Sequence, residues 1–544
     1  MSYTRHTSTF RFELLPSSPE STTGFGPRLG KTCLERYGED GVLEIVTPGF
    51  ITSTSRGVVP HLSRDNTDAT DAIRWAHVPF ETFLEHTPPV PTLQSGSHPL
   101  HKFLGFRPNQ HILTMTLRDP SDDREMPANG HSFVSAYSLR GVRKVSPGDW
   151  RKYVLACDPD IAIALSDTPF TTVAHSQKRT TKSLERSAAW LADLLQAVPS
   201  PGSEGPTPRL NVFVHMAGGV IAAARHAFSV SLLEPLYERE AETIKPFTHL
   251  DEGVSGYTFD LIPLYDGLSP SSRFNPPTPS ALSTVEETVE ETAAALDPPH
   301  SSSPTAQLVP LLHASLVPLP KTKPRIVHSA GSPHVMLALI RDVGIDLFDA
   351  HWAQRAADIG IALDFVFPAP PGAPDAPKAL GNNLYDARHA HDFSPFADSF
   401  RTCADADARP VCPCIACSPS RHAAPLRMSA LDEPLSEHAP TPFTRAYVHH
   451  LLHTHEMSAH ALLTAHNLSV LDAFFACVRR VLADRPADFA GEVERFCVVY
   501  DGTMAVWEEA KATWAEVALA RGKGRLAREK ERQEKDALGT AVEL

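Results

Sequence analysis

Between about residues 40 and 370, short apolar runs alternate with helical patterns, and this alternation limits the fold more than any other feature of the chain. LEIVTPGFI (43–51), HILTMTL (111–117), DIAIALSD (160–167), LNVFVHMAG (210–218), GYTFDLIPL (256–264), PRIVHSA (324–330) and GIDLFDA (344–350) read as strands. Several are almost continuously apolar, as from Ile161 to Leu165, the pattern of strands covered on both faces. Between them, SLERSAAWLADLLQAV (183–198) puts Leu184, Ala188, Leu191 and Leu195 on one stripe of a helix, and PHVMLALIRDV (333–343) is a short apolar helix leading into a strand. The pattern predicts an α/β protein, leaning to a barrel, although periodicity does not separate a barrel from a doubly wound sheet.

Residues 443–484 change character: FTRAYVHHLLHTHE and SAHALLTAHNLSVLDAFFACVRRVLAD read as two helices with no strand between, and Ser458 is the expected N-cap of the second. The chain has 544 residues, room for two to four units at a soft prior of roughly 150 residues each. Its 49 prolines point to irregular insertions on a folded body. The largest runs from Ser269 to Pro304, where 7 Pro and 8 Ser resist regular packing. Others are 197–209, 367–377 and 418–442. No internal repeat is visible.

A net charge of -14 excludes a surface that grips nucleic acid over most of its area, so any RNA contact is local or borrowed from a partner. The tail from Arg521 to Lys535 is a local exception at +4, read first as a solvated helix. No stretch approaches the roughly 18 apolar residues that span a bilayer, and the N-terminus has no apolar secretory core, so a cytoplasmic protein is expected.

Three of the eight cysteines fall within six residues: Cys412-Pro-Cys414-Ile-Ala-Cys417. In a reducing compartment, three thiols so close inside a polar, Pro-rich stretch point to a metal rather than a disulfide. Zn(II) bound by thiolates needs a fourth ligand to close its tetrahedron. Cys403, His422, His438, His449, His450, His453, His455, His460 and His466 are the candidates. A site closed by four protein ligands is structural and does not activate water.

The CPCIAC run followed by FTRAYVHHLLHTHEMSAHALLTAHNL resembles the zinc-binding end of the tRNA-guanine transglycosylase (queuine tRNA-ribosyltransferase) family. TPGFITSTSRGVVPHLS (47–63) is similar to the family's first barrel strand and loop, and LPKTKPRIVHSAGSPHVMLALIRDVGIDLFDA (319–350) to its segment ending in the nucleophilic aspartate. The resemblance runs from roughly Arg11 to Tyr500. It implies an irregular TIM (β/α)8 barrel over 11–400 with an unstructured insertion at about 267–308, a zinc-binding helical subdomain over 401–510, and a charged helix or tail over 511–544. It also implies one structural zinc on Cys412, Cys414, Cys417 and His466. The 49-position step from Cys417 to His466 exceeds the family spacing, and the Pro-rich stretch 418–442 accounts for it as an insertion.

Base exchange in this family uses a carboxylate nucleophile at the wobble ribose, a second carboxylate as acid and base, and polar groups that read the purine. Asp349 stands at the nucleophile position, at the C-terminal end of a strand. The Asp-Ser-Gly-Gly-Phe-Gln segment that carries the second acid is matched to NGHSFVSAYSLRG (129–141), which has no carboxylate. The base-contacting Gln-Gly-Gly reads Ala217-Gly218-Gly219, GYTFDLIPL replaces a glycine-rich loop, and AHWAQRAADIG replaces the arginine-bearing turn after Asp349. Asp167 lies near a base-reading aspartate of the family.

A scaffold kept while its chemistry is lost resembles the non-catalytic members of this family, and that resemblance implies a chain that pairs with a catalytic homologue. The heterodimer would exchange guanine for queuine at position 34 of tRNAs with GUN anticodons, with tRNA held through the complex. Two alternatives stand beside it: an active transglycosylase using Asp349 with Asp167, and an unrelated zinc module that binds RNA through its tail.

Overall fold

The computed structural model describes residues 8–16, 24–36, 41–168, 176–196, 210–268, 304–372, 374, 376–399, 412–419, 442–517 and 519. The strands are β1 (Ser8–Leu14), β2 (Gly30–Arg36), β3 (Val42–Thr47), β4 (Gly49–Ser53), β5 (Trp75–Pro79), β6 (Ile112–Thr116), β7 (Val134–Ser138), β8 (Gly141–Val145), β9 (Ile161–Ile163), β10 (Val212–His215), β11 (Val254–Asp260), β12 (Arg325–His328), β13 (Leu347–Asp349), β14 (Ile361–Leu363) and β15 (Gly381–Asn383).

Eight of them close a barrel in the order β4, β5, β6, β9, β10, β11, β12, β13 and back to β4, every neighbouring pair parallel. Helices connect most of the strands, so the fold is a (β/α)8 barrel with insertions, and the choice left open by periodicity is decided against the open sheet. The seven apolar runs all supply strands. The run 43–51 is divided, its first part forming β3 outside the barrel and its last residues opening β4. β5, WAHVP, lacks alternation because all five residues are buried.

The bottom of the barrel is closed by the antiparallel sheet β1–β2–β3. Phe10 and Leu34 from that sheet enter a core made of the inward residues Ile51, Trp75, Ile112, Ile161, Ile163, Phe213, Ile326 and Leu347. Phe10 meets Trp75 and Phe213 edge to face, with centroids 6.0 and 5.3 Å apart. Two buried ion pairs pin the sheet's chain to the barrel: Arg36 with Asp160 at 2.7 Å, and Arg28 with Asp346. The top of the barrel, the C-terminal strand end, is left for polar groups.

Past β13, the helix His351–Asp358 and the β14–β15 pair lead to the helices Arg445–His453, Met457–Asp484 and Phe489–Val499. Met457 opens the long helix after Glu456, so Ser458 is inside it and not its N-cap. By length and composition this helix could cross a membrane, which the sequence reading did not anticipate. Yet 67% of its apolar window is buried inside the fold, including Leu463, Leu468, Leu471 and Phe475. The Ser269–Pro304 stretch lies outside the described residues except at its end: Ile262–Leu268 and Pro304–Leu316 are helical on either side. Of the 511–544 segment, 511–517 continues a helix whose Trp514 is buried beside Tyr385 and His460, and the basic run Arg521–Lys535 lies outside the described residues.

Candidate metal centre and barrel mouth

The loop residues Cys412, Cys414 and Cys417 and the helical His466 converge, all four buried, with one ligand atom from each within 4.8 Å of the others. Cys414 Sγ lies 3.7 Å and Cys417 Sγ 3.5 Å from His466 Nδ1. A tetrahedral ion with Zn–S of about 2.3 Å and Zn–N of about 2.0 to 2.1 Å sets its sulfur and nitrogen ligands about 3.6 Å apart, so these separations suit such an ion. His466 gives its Nε2 hydrogen to Leu363 O at 2.9 Å, which leaves the Nδ1 lone pair facing the sulfurs. The donor set and its enclosure fit a structural metal, and zinc is compatible with both.

The rival histidines are engaged elsewhere or exposed. His449 bonds Leu384 O, His453 bonds Tyr385 O and His460 bonds Ala357 O, while His450 and His455 face solvent. Cys403, His422 and His438 lie outside the described residues. Asn467, next to His466, accepts from Leu363 N at 2.9 Å and donates to Ile361 O and Ala353 O at 3.0 and 3.1 Å. The helix therefore ties the metal centre to β14 and to the helix that follows Asp349.

Asp349 ends β13 at the barrel mouth and is 1% exposed. Its Oδ2 accepts from Ser329 N at 2.7 Å and lies 3.8 Å from His328 Nδ1, while Oδ1 has no partner. Burial pushes its carboxyl up to about 7, with Asp119 and Asp260 adding like charge. A neighbouring cavity of about 60 Å³, space for roughly four to six waters, is lined by groups including Arg118, Ser166, His215, Asp260 and His328, but not by Asp349.

The sequence reading missed most of this polar cluster. Residues 129–141 supply the lead-in, β7 and the turn of the β7–β8 hairpin outside the barrel, while the barrel strand there is β6, followed by Leu117, Arg118 and Asp119. The mouth therefore does hold further acids: Glu81 is buried and Asp119 and Asp260 are half-buried, and desolvation raises each, Asp260 to about 6 and Glu81 to about 8. Their signal was position, at a strand's last residue for Asp260 and two or three residues past one for Glu81 and Asp119, rather than a motif. His215 Nδ1 approaches Asp260 Oδ2 at 3.4 Å, and His77 Nε2 meets Thr116 Oγ1 at 2.9 Å. Burial holds His77, His215 and His328 below the usual histidine range, so all three are neutral near pH 7.

Asp167 is brought to the rim but spoken for. Arg179 grips it through both guanidinium nitrogens at 2.7 and 2.8 Å, Arg186 adds 3.0 Å, and Asn129 Nδ2 donates at 2.9 Å. Burial would raise its carboxyl, but the bonds from Arg179 and Asn129 outweigh it and hold it low, which unsuits it as a base. Ala217-Gly218-Gly219 follows β10 at the mouth, with Gly218 at φ +115 and no room for a Cβ against Arg225. Arg355, in the segment after Asp349, is buried and paired with Asp358, turned away from solvent.

The profile of the queuine tRNA-ribosyltransferase family matches residues 25–237 and 285–501. Among curated relatives, queuine tRNA-ribosyltransferase accessory subunit 2 of Schizosaccharomyces pombe is 25% identical over 457 residues, 84% of this chain and 78% of the relative. The proteins of that name from Ixodes scapularis and Xenopus tropicalis are 24% and 25% identical, each aligned over 86% of this chain and 97% of its own length. With a family profile spanning most of the chain, a closed parallel barrel and a Cys₃His cluster in the position the resemblance implied, the chain belongs to the queuine tRNA-ribosyltransferase family.

Proposed function

We propose that this chain is the non-catalytic subunit of a heterodimeric queuine tRNA-ribosyltransferase. Paired with a catalytic homologue, it supports exchange of guanine for queuine at wobble position 34 of the tRNAs for Asp, Asn, His and Tyr. The accessory-subunit name of its relatives supports the pairing. The observation that supports a lack of chemistry is Asp349: it is 1% exposed, does not line the neighbouring cavity, and burial raises its carboxyl to about 7, which disfavours the ionised form a nucleophile needs. The ion is zinc, one per chain, held by Cys412, Cys414, Cys417 and His466 and acting only on the fold. The complex works in the cytoplasm.

The competing reading is an active transglycosylase using Asp349 as nucleophile. The half-buried acids Asp119 and Asp260 near Asp349 favour it, since such groups could share proton transfers. Co-purification with a catalytic homologue, followed by exchange assays on each chain alone and on the mixture, separates the two. Exchange by the mixture only supports the accessory role, and exchange by this chain alone refutes it.

A further inference from the structure

The β7–β8 hairpin stands apart from the barrel as a sheet of two strands, and β8 is an open edge with no neighbour among the described residues. Its tip, Leu139-Arg140-Gly141-Val142-Arg143-Lys144, is six consecutive exposed residues, three of them cationic. From Met126 to Gly148 there is no acidic residue at all, in a chain whose net charge is -14. Among the described residues, neither Arg140 nor Arg143 has an ion-pair partner, and Lys144 rests over the Phe133 ring at 4.7 Å. Asp122, on the loop beside β7, is already paired with Arg124 at 2.7 Å.

The hairpin belongs to the rim of the barrel mouth. Its first residue, Val134, and Thr168, on the lead-in to the helix Gln177–Leu195, line the same cavity. Asn129 joins the two sides by donating to Asp167, the carboxylate that Arg179 of that helix holds. Lys178 and Lys182 are exposed one turn apart at the start of this 19-residue helix, where the helix dipole adds positive potential. Five exposed cations therefore lie on two elements whose connecting segments line the cavity.

We infer that the β8 edge with Arg140, Arg143 and Lys144, backed by Lys178 and Lys182, binds the phosphate backbone of RNA. A peptide strand added to β8 is the other use of an open edge, but cations along an edge oppose strand pairing and match a polyanion. The identity of the RNA as tRNA rests on the function proposed above; the binding surface itself does not.

The test uses the full chain, alone and with a catalytic homologue, and an unmodified tRNA transcript. The variant is Arg140→Gln/Arg143→Gln/Lys144→Gln, and the control removes three exposed cations elsewhere, Lys102→Gln/Lys245→Gln/Arg388→Gln. The hairpin variant should bind tRNA roughly 10- to 100-fold more weakly at about 0.1 M salt, with the slope of log affinity against log salt shallower by about two. Its melting temperature should be unchanged, and the control should bind like the parent. Equal affinity and slope in the hairpin variant overturns the inference, as does weaker association with the homologue, measured without RNA, in place of weaker RNA binding. If the pair exchanges guanine yet the variant binds RNA normally, the surface is wrong and the proposed function stands. If RNA binding falls as expected but no partner or exchange is found, the reverse holds.

Discussion

Cys417 Sγ and His466 Nδ1 face each other across 3.5 Å although one belongs to a loop and the other to the middle of a 28-residue helix. Only the fold brings them together, so metal binding and the packing of that helix are one event. Structural zinc supplies on the order of 10 kcal/mol in small zinc peptides. In this chain an extensive apolar core remains without the metal, so Cys414→Ala should cost about 3 to 5 kcal/mol, with one zinc lost per chain. Metal analysis and calorimetric melting check both. Retained zinc, or an unchanged melting temperature, would exclude the metal from the fold's support.

Asn467→Ala should be damaging for a different reason. It orphans the buried N–H of Leu363 and removes the bonds to the carbonyls of Ile361 and Ala353, with each buried group left unsatisfied costing about 1 to 3 kcal/mol. We expect a loss of about 3 kcal/mol or more with the zinc content unchanged, measured by denaturant titration alongside metal analysis.

Asp349 makes a prediction in pH. Its carboxyl is raised from 3.8 to about 7 in the fold, so the native state holds a proton there that the unfolded chain has lost. That contribution falls away as pH rises from about 4 to 7. Asp349→Asn should therefore be more stable than the parent at pH 8, with the gap closing near pH 4. Thermal melts at both values decide it. A variant less stable at pH 8 would mean that the carboxylate is ionised and needed.

Asp167 behaves oppositely. Its carboxyl is held low by Arg179, Asn129 and Arg186, so its contribution is present above about pH 4 and fades as acid protonates it. Asp167→Asn should cost about 2 to 4 kcal/mol at pH 7, and the cost should shrink only as the pH falls below the ordinary aspartate range. Exchange by the reconstituted pair, scaled to folded protein, should not change. A loss of exchange of 100-fold or more would make Asp167 a participant in the chemistry.

The barrel and the metal ligands were legible because each leaves a local mark: near-continuous apolar runs such as Ile161–Leu165, and thiols at 412, 414 and 417. Spacing alone left the fourth ligand open between His466 and His460, and only the family resemblance pointed to His466; the fold turns His466 Nδ1 to the sulfurs while His460 Nδ1 meets Ala357 O. The mouth acids escaped because Asp119, Asp260 and Glu81 come from three different strand ends and meet only when the barrel closes. The stretch 129–141, matched to the family's acid-bearing segment, does not reach the barrel strand itself: β6 ends at Thr116, and the later stretch leads into a hairpin whose alternation, Val134 and Ala136 inward, imitates a barrel strand. Helix Met457–Asp484 reads as apolar enough for a bilayer because it is packed on several sides at once.

The central claim is that this chain completes a transglycosylase without performing the exchange. Incorporation of labelled guanine into tRNA, measured for the purified chain, for a catalytic homologue and for their mixture, tests it most directly. The account predicts no incorporation by this chain alone, and incorporation by the mixture that survives Asp349→Asn in this subunit. Incorporation by the isolated chain, abolished by Asp349→Asn, would contradict it.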